Sequence, residues 1–203
     1  KGLPVYYVQN KENGLFQLAF RYEFGQCADN RYPVANEYLD FLGTDKMSAT
    51  EVKQKFYELA CSFSATVWDD VITISLSGLN ENMQPALALL EDVMNHAKVD
   101  KEAYEALVNR ILKGREDAKK NQRYYYSTLC EYGIYGQRNS ERDIVSEQQL
   151  KNTDPLVFVN LVKNLANYKH SVNYYGPLSV KELTAIIDKT HKTAKKLHPL
   201  LLL

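Results

Sequence analysis

The sequence predicts an α+β fold: a largely antiparallel sheet with helices packed on it. Three observations lead there. Short stretches of alternating apolar and polar residues come in adjacent pairs, as hairpins do. Longer stretches carry helical periodicity and open on capping boxes. The paired strands are separated by pairs of helices rather than arranged as repeated strand-helix-strand units.

The elements follow in order. PVYYVQN (4–10) is β-branched and aromatic, a turn follows at Asn10-Lys-Glu-Asn-Gly14, and LFQLAFRYEFG (15–25) alternates, so an opening hairpin is expected. Asp29-Asn30 offers an N-cap for a helix over 31–42, which Gly43 stops. Ser48-Ala-Thr-Glu51 is a capping box that opens EVKQKFYELA. CSFSATVW and VITISLSGL alternate around Asp69-Asp70 as a second hairpin. Helical periodicity returns over 83–97 and over 101–121, where Gly114 weakens the helix without ending it. A Tyr-rich segment leads to turn residues Gly133 and Gly136. Beyond it come a helix from near Thr153 to about Tyr168, a strand within KHSVNYYGPL and a last helix after the Ser179–Glu182 capping box, running over 181–197. No low-complexity linker interrupts the chain, which reads as one domain over 1–203.

Bulk properties narrow the function. The chain has 203 residues, 45% hydrophobic and 25% charged, with 25 basic and 25 acidic side chains. A chain this long buries roughly 70% of its unfolded surface and needs no staples. Zero net charge argues against nucleic acid or a membrane surface as partner, since both select a basic excess. Cys27, Cys61 and Cys130 share no metal or redox spacing and read as small buried hydrophobes. Four leucines at 200–203 would leave an exposed apolar end, so the chain reads as a piece of a longer protein.

Chemistry-bearing motifs are scarce. His96, His170, His191 and His198 have no two-histidine helical spacing and read as surface or cap residues. The phosphate-cradling and nucleophile-elbow motifs are absent from the sequence. Asp69-Asp70 reads as a turn rather than a cation site. KKNQRYYYS (119–127) mixes cations and aromatics, which fits a helix end with tyrosines packing inward better than a single-strand nucleic-acid binder. The 15 tyrosines could equally line a groove that grips peptide.

The stretch VANEYLDFLGTDKMSATEV (34–52), with the Ser-Gly-Leu of the second hairpin and NYYGPLSVKEL near the end, resembles a domain of the pitrilysin/insulinase (M16) zinc metallopeptidase family. Active domains there carry H-x-x-E-H on a helix followed by Gly-Thr. Two imidazoles at i and i+4 share a helix face and hold zinc, and the Glu takes a proton from the zinc-bound water. Counted back from Gly43-Thr44, the five motif positions fall on Val34-Ala35-Asn36-Glu37-Tyr38. Glu37 keeps the carboxylate, whereas Val34 and Tyr38 replace both histidines. The family's third ligand, a glutamate on a later helix, is expected near Arg115 and Glu116. Val34, Glu37 and Tyr38 are therefore vestigial positions, with no catalytic or metal-binding residue expected in this chain.

The resemblance implies the first domain of the non-catalytic half of such an enzyme. It would wall a peptide-binding chamber and meet a catalytic, zinc-bearing half in the same chain or in a partner subunit. Scaffold-like relatives without peptidase function supply the alternative, a structural or assembly subunit. Surfaces that normally meet a partner could also make the fragment self-associate.

Overall fold

A computed structural model describes residues 2–138 and 144–199; the leucines at 200–203 lie outside the described residues. The strands are β1 (Val5–Gln9), β2 (Leu15–Tyr22), β3 (Cys61–Val67), β4 (Ile72–Leu79) and β5 (Ser171–Gly176). The helices are α1 (Tyr32–Leu39), α2 (Ala49–Glu58), α3 (Met83–His96), α4 (Lys101–Ala118), α5 (Gln122–Tyr135), α6 (Glu147–Asn152), α7 (Leu156–Asn164) and α8 (Val180–Thr190). They build the expected α+β arrangement around one five-stranded sheet in the order β1-β5-β2-β4-β3.

That order corrects the expected opening hairpin. β1 and β2 are consecutive in sequence but do not pair. β5 lies between them, parallel to β1 and antiparallel to β2. The turn after β1 is nevertheless built as the sequence suggests, since Asn10 carries it: its Oδ1 accepts from the Glu12 amide at 2.9 Å and its Nδ2 donates to Asn13 Oδ1 at 2.7 Å. The second hairpin forms as expected, with Trp68 N donating to Val71 O at 2.8 Å across the Asp69-Asp70 turn.

Alternation decides which face is covered. Leu18, Phe20 and Tyr22 on β2 lie opposite Leu76, Ile74 and Ile72 on β4, and Leu18 and Phe20 lie opposite Tyr174 and Val172 on β5. All are buried in the core with side chains from α1, α2, α3, α4, α7 and α8. The intervening residues form the other face: Ser62, Ser64 and Thr66, Thr73, Ser75 and Ser77, Gln17, Ala19 and Arg21, then Asn173 and Tyr175. Every one is partly or fully exposed. An antiparallel sheet tolerates such a solvated face.

The helix starts at Ser48 and Ser179 carry complete capping boxes, with Glu51 and Glu182 returning the bond. Ser146 makes a third with Gln149, opening α6, a helix the periodicity did not reveal. At α1 the N-cap is Arg31 and not Asp29 or Asn30; the Asp29 carboxylate instead grips the Arg31 guanidinium at 2.6 and 2.8 Å. α4 runs through Gly114 as expected. Gly133 lies inside α5, and only Gly136, with φ of 59°, ends that helix. α8 stops at Thr190, short of the expected 197, because His191 turns into the core.

Candidate functional site

Helix α1 is the element on which the sequence places its candidate chemistry. Pro33 sits in its first turn, where a missing N–H costs nothing. Its inner stripe of Tyr32, Val34, Ala35, Tyr38 and Leu39 is buried. Val34 is 5% exposed and offers only methyl groups to α1's neighbours, while Tyr38 is fully buried.

The Tyr38 phenol is committed elsewhere. It donates to the carbonyl oxygen of Asp100 and accepts the Asp100 amide at 2.9 Å. Asp100 is the N-cap of α4, with its carboxylate accepting the Ala103 amide at 2.9 Å, so Tyr38 fastens the start of α4 to the C-terminal end of α1. Burial pushes the Tyr38 phenol up from its ordinary value, and the Asp100 amide pulls only partly against that. A phenol held as a donor in this way is no metal ligand near neutral pH.

Glu37 points the other way. Its carboxylate is half exposed and pairs with Arg110 of α4 at 2.8 Å, and the same guanidinium lies 5.2 Å from the centre of the Phe41 ring. The pair braces α1 on α4 from the solvent side. The three candidate positions are thus divided: Val34 and Tyr38 in the core, Glu37 on the surface.

On α4 the buried residues are Tyr104, Leu107 and Val108. The Tyr104 ring meets Tyr38 edge-on at 5.3 Å and stacks on Phe158 of α7 at 5.3 Å, and its hydroxyl donates to Leu150 O at 2.8 Å. Burial pushes the Tyr104 phenol up to about 12. Arg115 and Glu116 are not brought to this joint: Arg115 donates to Val145 O at 2.8 Å, and Glu116 is exposed. Among the described residues no group of three or more His, Cys, Asp or Glu side chains could hold a metal ion. The residues present do not fit zinc, whose sites need deprotonated or neutral donors converging on one point.

Gly43-Thr44 has a structural task. A Cβ on Gly43 would lie 2.3 Å from Met47 O, because the loop folds tightly enough for Thr44 N to donate to that oxygen at 2.7 Å. The Gly43 carbonyl accepts Lys98 N at 3.0 Å, which ties the end of α1 to the linker before α4.

Other readings are corrected by burial. Cys61 is buried, but Cys27 and Cys130 are exposed. The tyrosines of the 119–127 segment do not pack inward: Tyr125 and Tyr126 are exposed, as are Leu129 and Tyr132 further along α5, and no α5 residue is buried. His96 and His198 are exposed, as expected; His191 is the C-cap of α8, which fits the cap reading, but it is buried, and His170 belongs to the core. No described helix is long and apolar enough to cross a membrane.

Comparison with known proteins places this architecture. The family model described as Insulinase (Peptidase family M16) matches residues 36–141, a span that includes Glu37 and Tyr38 and begins after Val34. The chain belongs to the M16 peptidase family. The periplasmic protease PqqL from Escherichia coli shares 15% identity at a TM-score of 0.80, over 97% of this chain and 22% of that one. An inactive domain of an M16 peptidase from Pseudomonas fluorescens shares 20% identity at 0.77, over 97% of this chain and 51% of that one. The ferredoxin protease FusC, a mutant solved in complex with Arabidopsis ferredoxin, shares 12% at 0.78, over 98% of this chain and 22% of that one. At such identities the likeness is one of fold. This chain spans about half of the Pseudomonas chain and about a fifth of the other two. No curated protein sequence matches it significantly.

Proposed function

We propose that this chain is a non-catalytic domain of an M16-type zinc metalloendopeptidase, walling the chamber in which extended peptide is held and meeting the catalytic half. That half lies in the same chain or in a partner subunit. One observation carries the reading: the helix that would present two imidazoles to zinc presents a methyl-bearing Val34 and a Tyr38 already bonded at both ends of its hydrogen-bonding capacity. In the parent enzyme zinc belongs to the catalytic half, where it would activate water for peptide-bond hydrolysis.

Two surfaces support the wall and the interface. The solvated sheet face is floored by small side chains, Ala19 and Ser75, with Tyr6 and Tyr175 standing at one side; an extended peptide fits against such a surface with little steric conflict. Helix α5 exposes Tyr125, Tyr126, Leu129 and Tyr132 in the aromatic-rich pattern typical of protein contacts. A second copy meeting that helix would account for self-association of the isolated chain.

The test is metal content and activity together. After incubation with zinc and dialysis, the 203-residue chain should retain less than about a tenth of an equivalent and cleave no peptide. It should bind a catalytic M16 half, and peptidase activity should reside in that half. Retention near one equivalent would refute the reading. Failure of the catalytic half to carry H-x-x-E-H would favour the scaffold alternative.

A further inference from the structure

Behind the sheet, Glu91 of α3, His191 at the end of α8 and His170 just before β5 form a buried chain with side chains about 100 and 21 residues apart in sequence. Their exposures are 8%, 4% and 3%. His191 Nδ1 lies 2.6 Å from Glu91 Oε1, and the two Nε2 atoms of His191 and His170 lie 2.8 Å apart. His170 Nδ1 lies 2.8 Å from the Tyr168 carbonyl oxygen.

A carbonyl only accepts, so His170 Nδ1 must carry a proton and donate. Burial holds His170 neutral, its pKa pushed down to about 4, which leaves a lone pair on Nε2. His191 Nε2 therefore donates to His170, and one more proton lies between His191 Nδ1 and Glu91 Oε1. The second Glu91 oxygen accepts Lys192 N at 2.9 Å and Asn95 Nδ2 at 3.3 Å. Every bond in the chain is filled in one direction.

This chain fastens the start of the segment 191–199, and backbone bonds hold the rest, among them Lys169 N donating to His198 O at 3.1 Å. Lys192 N is held by Glu91, Ala194 N donates to Ala166 O at 3.0 Å and His198 N donates to Asn167 O at 2.7 Å. His191 itself is stacked on Phe20, ring centres 4.1 Å apart. We propose that the Glu91–His191–His170 chain is an acid-operated catch: a fourth proton, placed on His170 Nε2 while His191 Nε2 keeps its own, sets N–H against N–H and releases the segment 191–199 from the body of the domain.

The surroundings favour that outcome. From β2, Tyr22 presents a buried ring 4.7 Å from His170. Lys163 of α7 and Lys192 line the small cavity beside Glu91 and His191, and Lys169 and Lys195 line the cleft at His170. The neighbours are cationic or neutral apart from Glu91, whose oxygens are already engaged. A positive His170 gains no partner by staying. His191 has the freer backbone, because the chain after it is irregular, so the segment lifts rather than β5.

Hydrogen exchange of the 203-residue chain tests this. Corrected for intrinsic rates, protection of the Lys192, Ala194 and His198 amides should fall up to about tenfold per pH unit below about 6.5, while β2 and β4 amides stay protected. His170→Gln keeps an acceptor for His191 and a donor for Tyr168 but cannot titrate, so protection in this segment should become flat with pH. Unchanged protection in the wild type between pH 7 and 4.5, or an undiminished pH dependence in His170→Gln, overturns the proposal. If that variant does not fold, nitrogen NMR of the wild type decides: His170 should hold its proton on Nδ1 alone at pH 5.5 in the closed state, and a doubly protonated His170 there refutes the catch.

Discussion

Replacing Tyr38 with Phe isolates what the hydroxyl does, since the ring and its packing against Tyr104 stay. The phenol makes two bonds to Asp100, one as donor and one as acceptor, across 62 residues of chain. A net hydrogen bond contributes about 0.5–1.5 kcal/mol, so losing both would cost about 1–3 kcal/mol. Asp100 lies at the surface, where water can replace the phenol, which places the expected loss at about 1–2 kcal/mol. Urea unfolding reads this directly. With a slope of about 2–3 kcal/mol per M for a chain of this size, the midpoint should fall by roughly 0.3–1 M at unchanged slope. A shift within ~0.1 M would mean that the joint between α1 and α4 rests on packing alone, and the account of Tyr38 as a fastener would be wrong.

Four further outcomes are expected. Glu37→Gln should change stability by less than about 0.5 kcal/mol in the same assay, because its pair with Arg110 is exposed. Val34→His with Tyr38→His should neither retain zinc through dialysis nor hydrolyse peptide, since the facing surface of α4 offers Tyr104, Leu107 and Val108 in place of a carboxylate. Gly43→Ala should destabilise by about 2–3 kcal/mol, seen as a lower Tm, because the new methyl meets the backbone of Met47, Ser48 and Ala49, which cannot swing aside. His170, held neutral at a pKa near 4 against 6.5 unfolded, gives stability that is fully present above pH 6.5. As the pH falls toward 4 the unfolded chain takes up the proton first, removing about 3 kcal/mol, which denaturant titrations at pH 7 and 4.5 would detect and His170→Gln would abolish.

The sequence is legible where the physics is local. The Ser48 and Ser179 capping boxes need only four consecutive residues, and the β3–β4 hairpin needs only its own alternation and turn. Ser146-Glu147-Gln148-Gln149 was equally available as a signature for α6. α5 escaped because its periodicity is weak: without a buried face there is no selection for an apolar stripe opposite a polar one. The position of β5 between β1 and β2 depends on pairings between residues 150 or more apart, which no window on the sequence contains. The fates of Val34 and Glu37 followed from residue type, whereas the bond from Tyr38 to Asp100 and the Glu91–His191–His170 chain are products of the assembled fold.

The place of β1 also has a consequence for synthesis. Its one neighbour in the sheet is β5, with Val5 opposite Val172 and Gln9 opposite Gly176. Within this domain the first strand to be synthesised thus waits for nearly all of these residues before it can pair, carrying Val5, Tyr6, Tyr7 and Val8 uncovered meanwhile. Closing so long a loop late makes this the slow, high-contact-order step of folding. The nascent domain is exposed to wrong strand partners at its N-terminus for as long as elongation lasts, and a chaperone that recognises short aromatic β-prone segments would find its target there.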